Sequence, residues 1–340
     1  MDGFSLKKIL IKYLVICCLL FVSTLIQAQK SNILRNIFII TTDGFRWQEV
    51  FQGADSTIIS DTTYVKDTSL ICDQFWNNDL AERRKKLMPF FWNIVANKGR
   101  LSGNRNYGNE VNVANLYKIS YPGYSEIFTG YTDNKLIPNL SISNRKLNVF
   151  EYLNEQESYA GKVAAFSSWN VLPYILNKKN SAIPINGGYE MLDEMNDIDS
   201  TNNLINQVQE NVAIKTHTRY DQYLQKAHQF DQMIAELWYY VQTDPFYKNN
   251  TTFIITTDHD RGSKTNKWAQ HGFWVKGSGE TWIAMIGAGI PADGEIKTKS
   301  RLYQKQIAAT VSELTSEKFH SSEHVIANPI NLTAITEAKK

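Results

Sequence analysis

The chain has 340 residues, of which 43% are hydrophobic and 12% aromatic, and its 36 Lys and Arg nearly balance 34 Asp and Glu for a formal net charge of +2. That length supports a full hydrophobic core, and as an α/β protein the chain can be one domain. No basic block or face stands out, so binding to a nucleic-acid polymer is not expected.

Lys7, Lys8 and Lys12 flank the start of an apolar run from Tyr13 to Ile26, and the small residue Ala28 follows. This is the order of a secretory signal peptide. Residues 1–28 are expected to be removed, and the rest of the chain, 29–340, to be exported to a periplasm or secreted. The alternative is a single retained anchor. The apolar run is about fourteen residues, shorter than the roughly 20 a spanning helix needs, so no stable membrane span is expected after cleavage. Cys17 and Cys18 leave with the segment. Cys72 is then the lone cysteine, and no internal disulfide can form.

From Arg35 to Asp43 the chain reads as a first strand. Met88 to Asn97 reads as an amphipathic helix that stops at Gly99. Ile119 to Gly130 reads as a turn leading into a helix, because Pro122 and Gly123 suit tight-turn and first-turn backbone. Gly161 to Trp169 reads as a second core strand. Asp221 to Gln242 carries Tyr223, Ala227, Phe230, Ile234, Leu237 and Val241 at three- and four-residue steps, the mark of an amphipathic helix, with Asp244-Pro245 as its stop. Thr251 to Asp258 and Thr281 to Gly287 read as strands, and Gln304 to Leu314 as a last helix. Strands alternating with helices predict an α/β fold with a mainly parallel sheet.

The string Phe-Ile-Ile-Thr-Thr-Asp occurs twice, from Phe38 to Asp43 and from Phe253 to Asp258. Each copy reads as a buried strand ending in a carboxylate. In open α/β sheets, ligands bind at the carboxyl ends of strands. Two such strands in one parallel sheet bring Asp43 and the pair Asp258-His259 to one rim, the outline of a metal site. The plainer readings are that these aspartates cap helices and that Ser120, before Tyr121-Pro122, is a turn serine. Trp47, Tyr121, Tyr124 and Trp274 are either groove walls or packing residues. His228 reads as a packing or surface residue on the long helix. His320 and His324, four apart, could bind metal if helical, but their place near a polar tail favours the same plain reading.

Four motifs stand in order: Thr42-Asp43-Gly44-Phe45-Arg46-Trp47, the stretch from Ser120 to Gly130, Thr257-Asp258-His259-Asp260-Arg261-Gly262, and His271-Gly272. Together they resemble the alkaline phosphatase superfamily, over nearly the whole chain from about Asn36 to the last helix. The nearest branch is the type I phosphodiesterase and nucleotide pyrophosphatase group. The resemblance implies a three-layer α/β/α sandwich with a mainly parallel central sheet. It implies up to two divalent metal ions, zinc first and manganese next, and a small-molecule phosphate ester as substrate. By the same resemblance Asp43, Ser120, Asp258 and His259 hold one metal, with Ser120 as the nucleophile that forms a phospho-enzyme. His217 and His271 match ligands of the second metal. Asn139, with a backbone amide, matches the support for the equatorial phosphate oxygens.

The chain departs from the family pattern at one place. The second metal normally takes both ends of an Asp-x-x-x-His motif that closes an apolar strand. Here Ala213 stands four residues before His217, and the apolar run is missing. One core strand is therefore expected to be absent, leaving two protein ligands at the second site, with Asp221 as a candidate substitute. Either another segment fills the gap or the protein is marginally stable.

Among substrates, a sulfatase pattern would need Arg where Tyr124 stands. A phosphomonoesterase of the alkaline phosphatase type would need an Arg beside the nucleophile, and none adjoins Ser120. Arg46 and Arg261 are the remaining candidates to bind phosphate. Phosphodiester hydrolysis is the first expectation and phosphomonoester hydrolysis the next. A phosphoglycerate mutase role conflicts with export. The competing class is an exported binding protein that keeps one metal site and turns over slowly or not at all.

Overall fold

The computed structural model describes residues 35–135, 139–188 and 218–335. Residues 1–28, expected to be a signal segment, and Ala213 and His217 lie outside the described residues. In chain order the strands are β1 (Asn36–Thr42), β2 (Gly99–Ser102), β3 (Asn109–Asn112), β4 (Ala165–Ser167), β5 (Ile185–Gly187), β6 (Thr251–Thr257), β7 (Glu280–Thr281), β8 (Ile283–Gly287), β9 (Gly294–Glu295) and β10 (Ser300–Tyr303). The α-helices are α1 (Trp47–Gln52), α2 (Ser56–Ile59), α3 (Thr68–Phe75), α4 (Leu80–Leu87), α5 (Ala96–Lys98), α6 (Ser120–Thr129), α7 (Val149–Glu155), α8 (Leu172–Ile175), α9 (Tyr220–Thr243) and α10 (Gln306–Leu314).

The two copies of the repeated string lie side by side. β1 and β6 pair in parallel with Phe38 opposite Phe253 and Thr42 opposite Thr257. The β-branched runs favour this extended, buried pairing. Because the register offset is zero, Asp43 and Asp258 leave the sheet at the same level.

The central sheet has the order β1-β6-β8-β2-β9. β1, β6, β2 and β9 point one way and β8 runs against them. Four of the five strands share one direction, as expected of a mainly parallel sheet, and the single antiparallel strand β8 makes it mixed. The reason lies in the connection. β6 ends at the rim bearing Asp258, residues 258–279 stay at that rim, and the chain must return as an antiparallel neighbour. The expected strand over Thr281–Gly287 breaks at Trp282, so that β7 joins a second sheet, β10-β3-β7, while β8 stays in the first.

Every residue of β6 is buried. Phe253 and Ile255 join a core with α9 and with the segments around α1 to α5. Ile254 is buried on the opposite face, as strand alternation requires; α6 and α10 pack against each other outside that core. This is the α/β sandwich expected. β1 differs: Asn36 to Thr41 are only half-buried. Among the described residues β1 stands at the end of the sheet order, paired with β6 alone. The stretch where a core strand was expected to be absent, before His217, lies outside the described residues.

Two expectations for single elements need correction. Of the stretch from Gly161 to Trp169 only β4 is a strand. It pairs with β5 in a separate two-stranded sheet, and its Phe166 is exposed. The helix expected over Met88 to Asn97 winds as a π-helix from Phe91 to Val95 before α5. The long helix α9 matches its periodicity. It buries Tyr223, Ala227, Phe230, Ile234 and Val241, and it ends at Asp244. No helix among the described residues is long and apolar enough to cross a membrane.

Candidate metal centre and nucleophile

Asp43, Asp258 and His259 converge at the rim of β1 and β6, with one donor atom from each lying within 4.8 Å of the others. Gly44 allows the sharp turn after Asp43, with φ of 57° in the left-handed region. Its N–H donates to Asp258 Oδ1 at 3.1 Å. The His259 N–H donates to the same oxygen at 2.8 Å. Asp258 Oδ2 is left buried with no hydrogen-bond partner, aimed at the His259 ring, whose Nε2 is 3.6 Å away. An orphaned buried carboxylate oxygen is costly unless a cation or proton completes it.

The histidine is oriented from behind. His259 Nδ1 lies 2.9 Å from the Asp260 carbonyl oxygen. A carbonyl only accepts, so Nδ1 carries the proton and Nε2 presents its lone pair to the site, the arrangement of a metal-ligating imidazole. Burial holds the Asp258 carboxyl above the usual carboxylate range, with His259 drawing it down and Asp43 pushing it up. A bound cation reverses that penalty. The oxygen and imidazole donors therefore fit a divalent ion such as zinc or manganese.

Ser120 opens α6 and points at this cluster. Its hydroxyl donates to Asp43 Oδ2 at 3.0 Å and lies 3.3 Å from His259 Nε2. Ser120 is buried, while the Asp43 carboxylate remains 42% exposed on the solvent side. The capping readings of the two aspartates do not hold: Arg46, not Asp43, is the N-cap position of α1, and among the described residues no helix starts at Asp258. Ser120, read as a turn serine, is the first residue of α6.

Asn139 comes to the same place from another loop. Its Oδ1 accepts from the Tyr121 backbone N–H at 2.8 Å, so the amide after Ser120 and the Asn139 side chain stand together. His271 stacks on His259, ring centroids 4.4 Å apart. His217 falls outside the described residues. Asp221 is not with the cluster: its carboxylate binds Arg219 and the Lys66 N–H.

Both candidate arginines are committed elsewhere. Arg46 is buried in an ion pair with Glu49. Arg261 is buried with its Nε donating to the Gly44 carbonyl at 2.6 Å, its guanidinium over the Tyr223 ring. Trp47, Tyr121 and Tyr124 are core residues, while Trp274 is exposed. His228 bonds the Leu87 carbonyl. His320 contacts Tyr152, and His324 lies tilted against Tyr131.

Sequence reasoning missed the support behind the site. Asp260 accepts from the Trp47 N–H at 3.0 Å and the Arg261 N–H at 2.5 Å. Tyr223 accepts from the Arg46 N–H at 2.9 Å, and Tyr220 donates to Glu49 at 2.9 Å. These bonds lock the segment after Asp43 to the segment after Asp258 and to α9. Nothing local in the sequence marks them.

No family model and no curated protein matches the chain. Solved structures do. The lipoteichoic acid synthase LtaP from Listeria monocytogenes is 12% identical with a TM-score of 0.53, over 85% of this chain and 75% of that one. The phosphonate monoester hydrolase SpPMH from Silicibacter pomeroyi is 10% identical with a TM-score of 0.52, over 84% and 74%. A mutant of alkaline phosphatase PafA is 9% identical with a TM-score of 0.53, over 87% and 98%. The chain has the fold of the alkaline phosphatase superfamily.

Proposed function

We propose that the protein is an exported, metal-dependent hydrolase of small-molecule phosphate esters, with phosphodiesters of the nucleotide-pyrophosphatase type as the first substrate class. The observation that carries the reading is the meeting of the Ser120 hydroxyl with Asp43, Asp258 Oδ2 and His259 Nε2 at one strand rim. Asp43, Ser120, Asp258 and His259 would hold one divalent ion, zinc or manganese; His271 with His217 would serve a second. The ion supplies Lewis-acid chemistry that lowers the pKa of a serine hydroxyl, otherwise a poor nucleophile at neutral pH.

The chain's own groups do the rest. The Ser120 oxygen attacks phosphorus, its proton passing to Asp43 Oδ2, to which it is already bonded. The ester oxygen leaves and takes that proton from Asp43, giving a phosphoserine; water then attacks phosphorus, and its proton passes to the Ser120 oxygen as that oxygen leaves, restoring the hydroxyl. On this reading the Tyr121 N–H would exchange its bond to Asn139 Oδ1 for one equatorial oxygen, and the Asn139 amide nitrogen would donate to another as charge gathers there. Arg46 is buried in its pair with Glu49 and Arg261 is buried with its Nε on the Gly44 carbonyl, so neither is assigned here to a doubly charged monoester. That favours a diester, with monoesters next.

The second reading is a binding protein that keeps one metal site without turnover, and Ala213 favours it. The deciding experiment is hydrolysis of bis(4-nitrophenyl) phosphate and 4-nitrophenyl phosphate with zinc or manganese, beside Ser120→Ala. Metal-dependent turnover lost in Ser120→Ala, with the diester preferred, is the expected result. Absence of turnover in folded, metal-loaded protein would leave the binding protein.

A further inference from the structure

Three loop regions meet around Ser120, and each exposes large apolar side chains. Before the nucleophile, Leu116 bonds through its N–H to Asn134 Oδ1 at 3.0 Å, and the Tyr117 hydroxyl donates to the Asn134 carbonyl at 3.0 Å. After it, Asn139 holds the Tyr121 amide, and the Tyr121 hydroxyl donates to the Ile142 carbonyl at 2.6 Å. The third loop follows His271: a Cβ on Gly272 would lie 3.8 Å from Ile119 and 4.0 Å from the Tyr117 carbonyl. These loops leave Leu116 50%, Leu140 50%, Ile142 47%, Phe273 47% and Trp274 89% exposed. They hold five of the twelve exposed large hydrophobic residues among the described ones. Scattered singly such residues mean little, but five of them on loops tied to one another beside the nucleophile mark a contact surface.

Charge narrows the occupant. The same loops carry Lys118, Lys135, Arg145 and Lys276 against one acid, Asp133. A basic rim among apolar side chains suits a ligand that is anionic at one end and hydrocarbon at the other. Pairing two copies through this face would set like charges against each other.

We infer that the ester taken at this site is amphiphilic: its phosphate lies at Ser120 and an alkyl substituent lies over Leu116, Leu140, Ile142, Phe273 and Trp274. The inference rests on the hydrolase reading for the phosphate's place. The collar acts by removing hydrocarbon from water, so affinity grows with chain length.

The test is a series of 4-nitrophenyl alkyl phosphodiesters, from methyl through butyl to octyl, kept below micelle formation, with zinc-loaded enzyme. The expected result is a rise in kcat/KM of at least about tenfold from methyl to octyl. Trp274→Ser with Phe273→Ser should remove the rise and leave the methyl ester within about twofold. A flat series with an active enzyme would overturn the collar and spare the hydrolase. A parallel arm needs no turnover: binding of octyl phosphate against methyl phosphate by the Ser120→Ala protein, read by calorimetry. Equal binding there overturns the inference even if no ester is hydrolysed. So does Trp274-dependent dimerisation in sedimentation, or Trp274-dependent vesicle binding with no preference for octyl over methyl phosphate in solution.

Discussion

The carbonyl oxygen of Asp258 lies so close over Gly123 that a Cβ at position 123 would stand 2.3 Å from it. Gly123 is in the first turn of α6, and its N–H bonds the Ile119 carbonyl. The contact therefore sets how near Ser120 comes to the strand rim. Nothing but hydrogen fits, so α6 rests directly on the backbone that carries the buried carboxylate.

Gly123→Ala must shift one of the two backbones, because the obstructing atom is not a movable side chain. A displacement of about 1 Å between nucleophile and ligands can cost on the order of 10²-fold in rate. We expect a fall of that size in kcat/KM with circular dichroism close to wild type. A wild-type rate would show that this contact does not position Ser120.

Asp258 trades stability for its site. Its Oδ2 is buried and unpaired, and burial holds the carboxyl above the usual carboxylate range. Asp258→Asn keeps an Oδ1 for the Gly44 and His259 N–H groups and removes the buried charge. At pH 8 without metal the variant is expected to unfold at a temperature higher than wild type, by about 1–3 kcal/mol of stability. Added zinc should raise the unfolding temperature of wild type and not of the variant. Equal metal stabilisation of both would remove Asp258 from the ligand set.

Asp231 predicts a pH dependence. It lies on α9, where its carboxylate oxygens accept from the Phe90 and Phe91 N–H groups at 2.7 and 2.9 Å. Burial pushes it up to about 7, the two hydrogen bonds opposing. The folded state thus keeps a proton that the unfolded chain releases near pH 4. The contribution to stability is fully present below that pH and is lost as pH rises to about 7, on the order of 4 kcal/mol. Denaturant titrations from pH 4 to 8 should show a decline that Asp231→Asn flattens. An unchanged slope in the variant would assign the decline to other groups.

The pair Arg46 and Glu49 is almost wholly buried, with Nη1 and Oε1 3.3 Å apart. Removing one partner strands a charge, so Glu49→Ala is expected to destabilise by about 3–5 kcal/mol. The double variant Arg46→Met, Glu49→Leu should cost clearly less than the sum of its single changes. Additive losses in urea unfolding would argue that Tyr220 and Tyr223, rather than the ion pair, hold this region.

What could be read from the sequence was what local pattern encodes. The repeated string marked β1 and β6, and strand ends place ligands, so Asp43, Asp258 and His259 could be brought together without coordinates. The 3.6-residue periodicity marked α9 almost to its ends. Composition and spacing do not say what covers an apolar face, and there the tertiary structure decided. It put Tyr121 and Tyr124 into the core and left Trp274 exposed, though all are aromatic residues beside site motifs. It sent β8 back along β6, because the chain stays at the site rim after Asp258. It made position 123 intolerant of any side chain, because a helix from one part of the chain rests on a strand end 135 residues away, where only the fold brings the two backbones within contact.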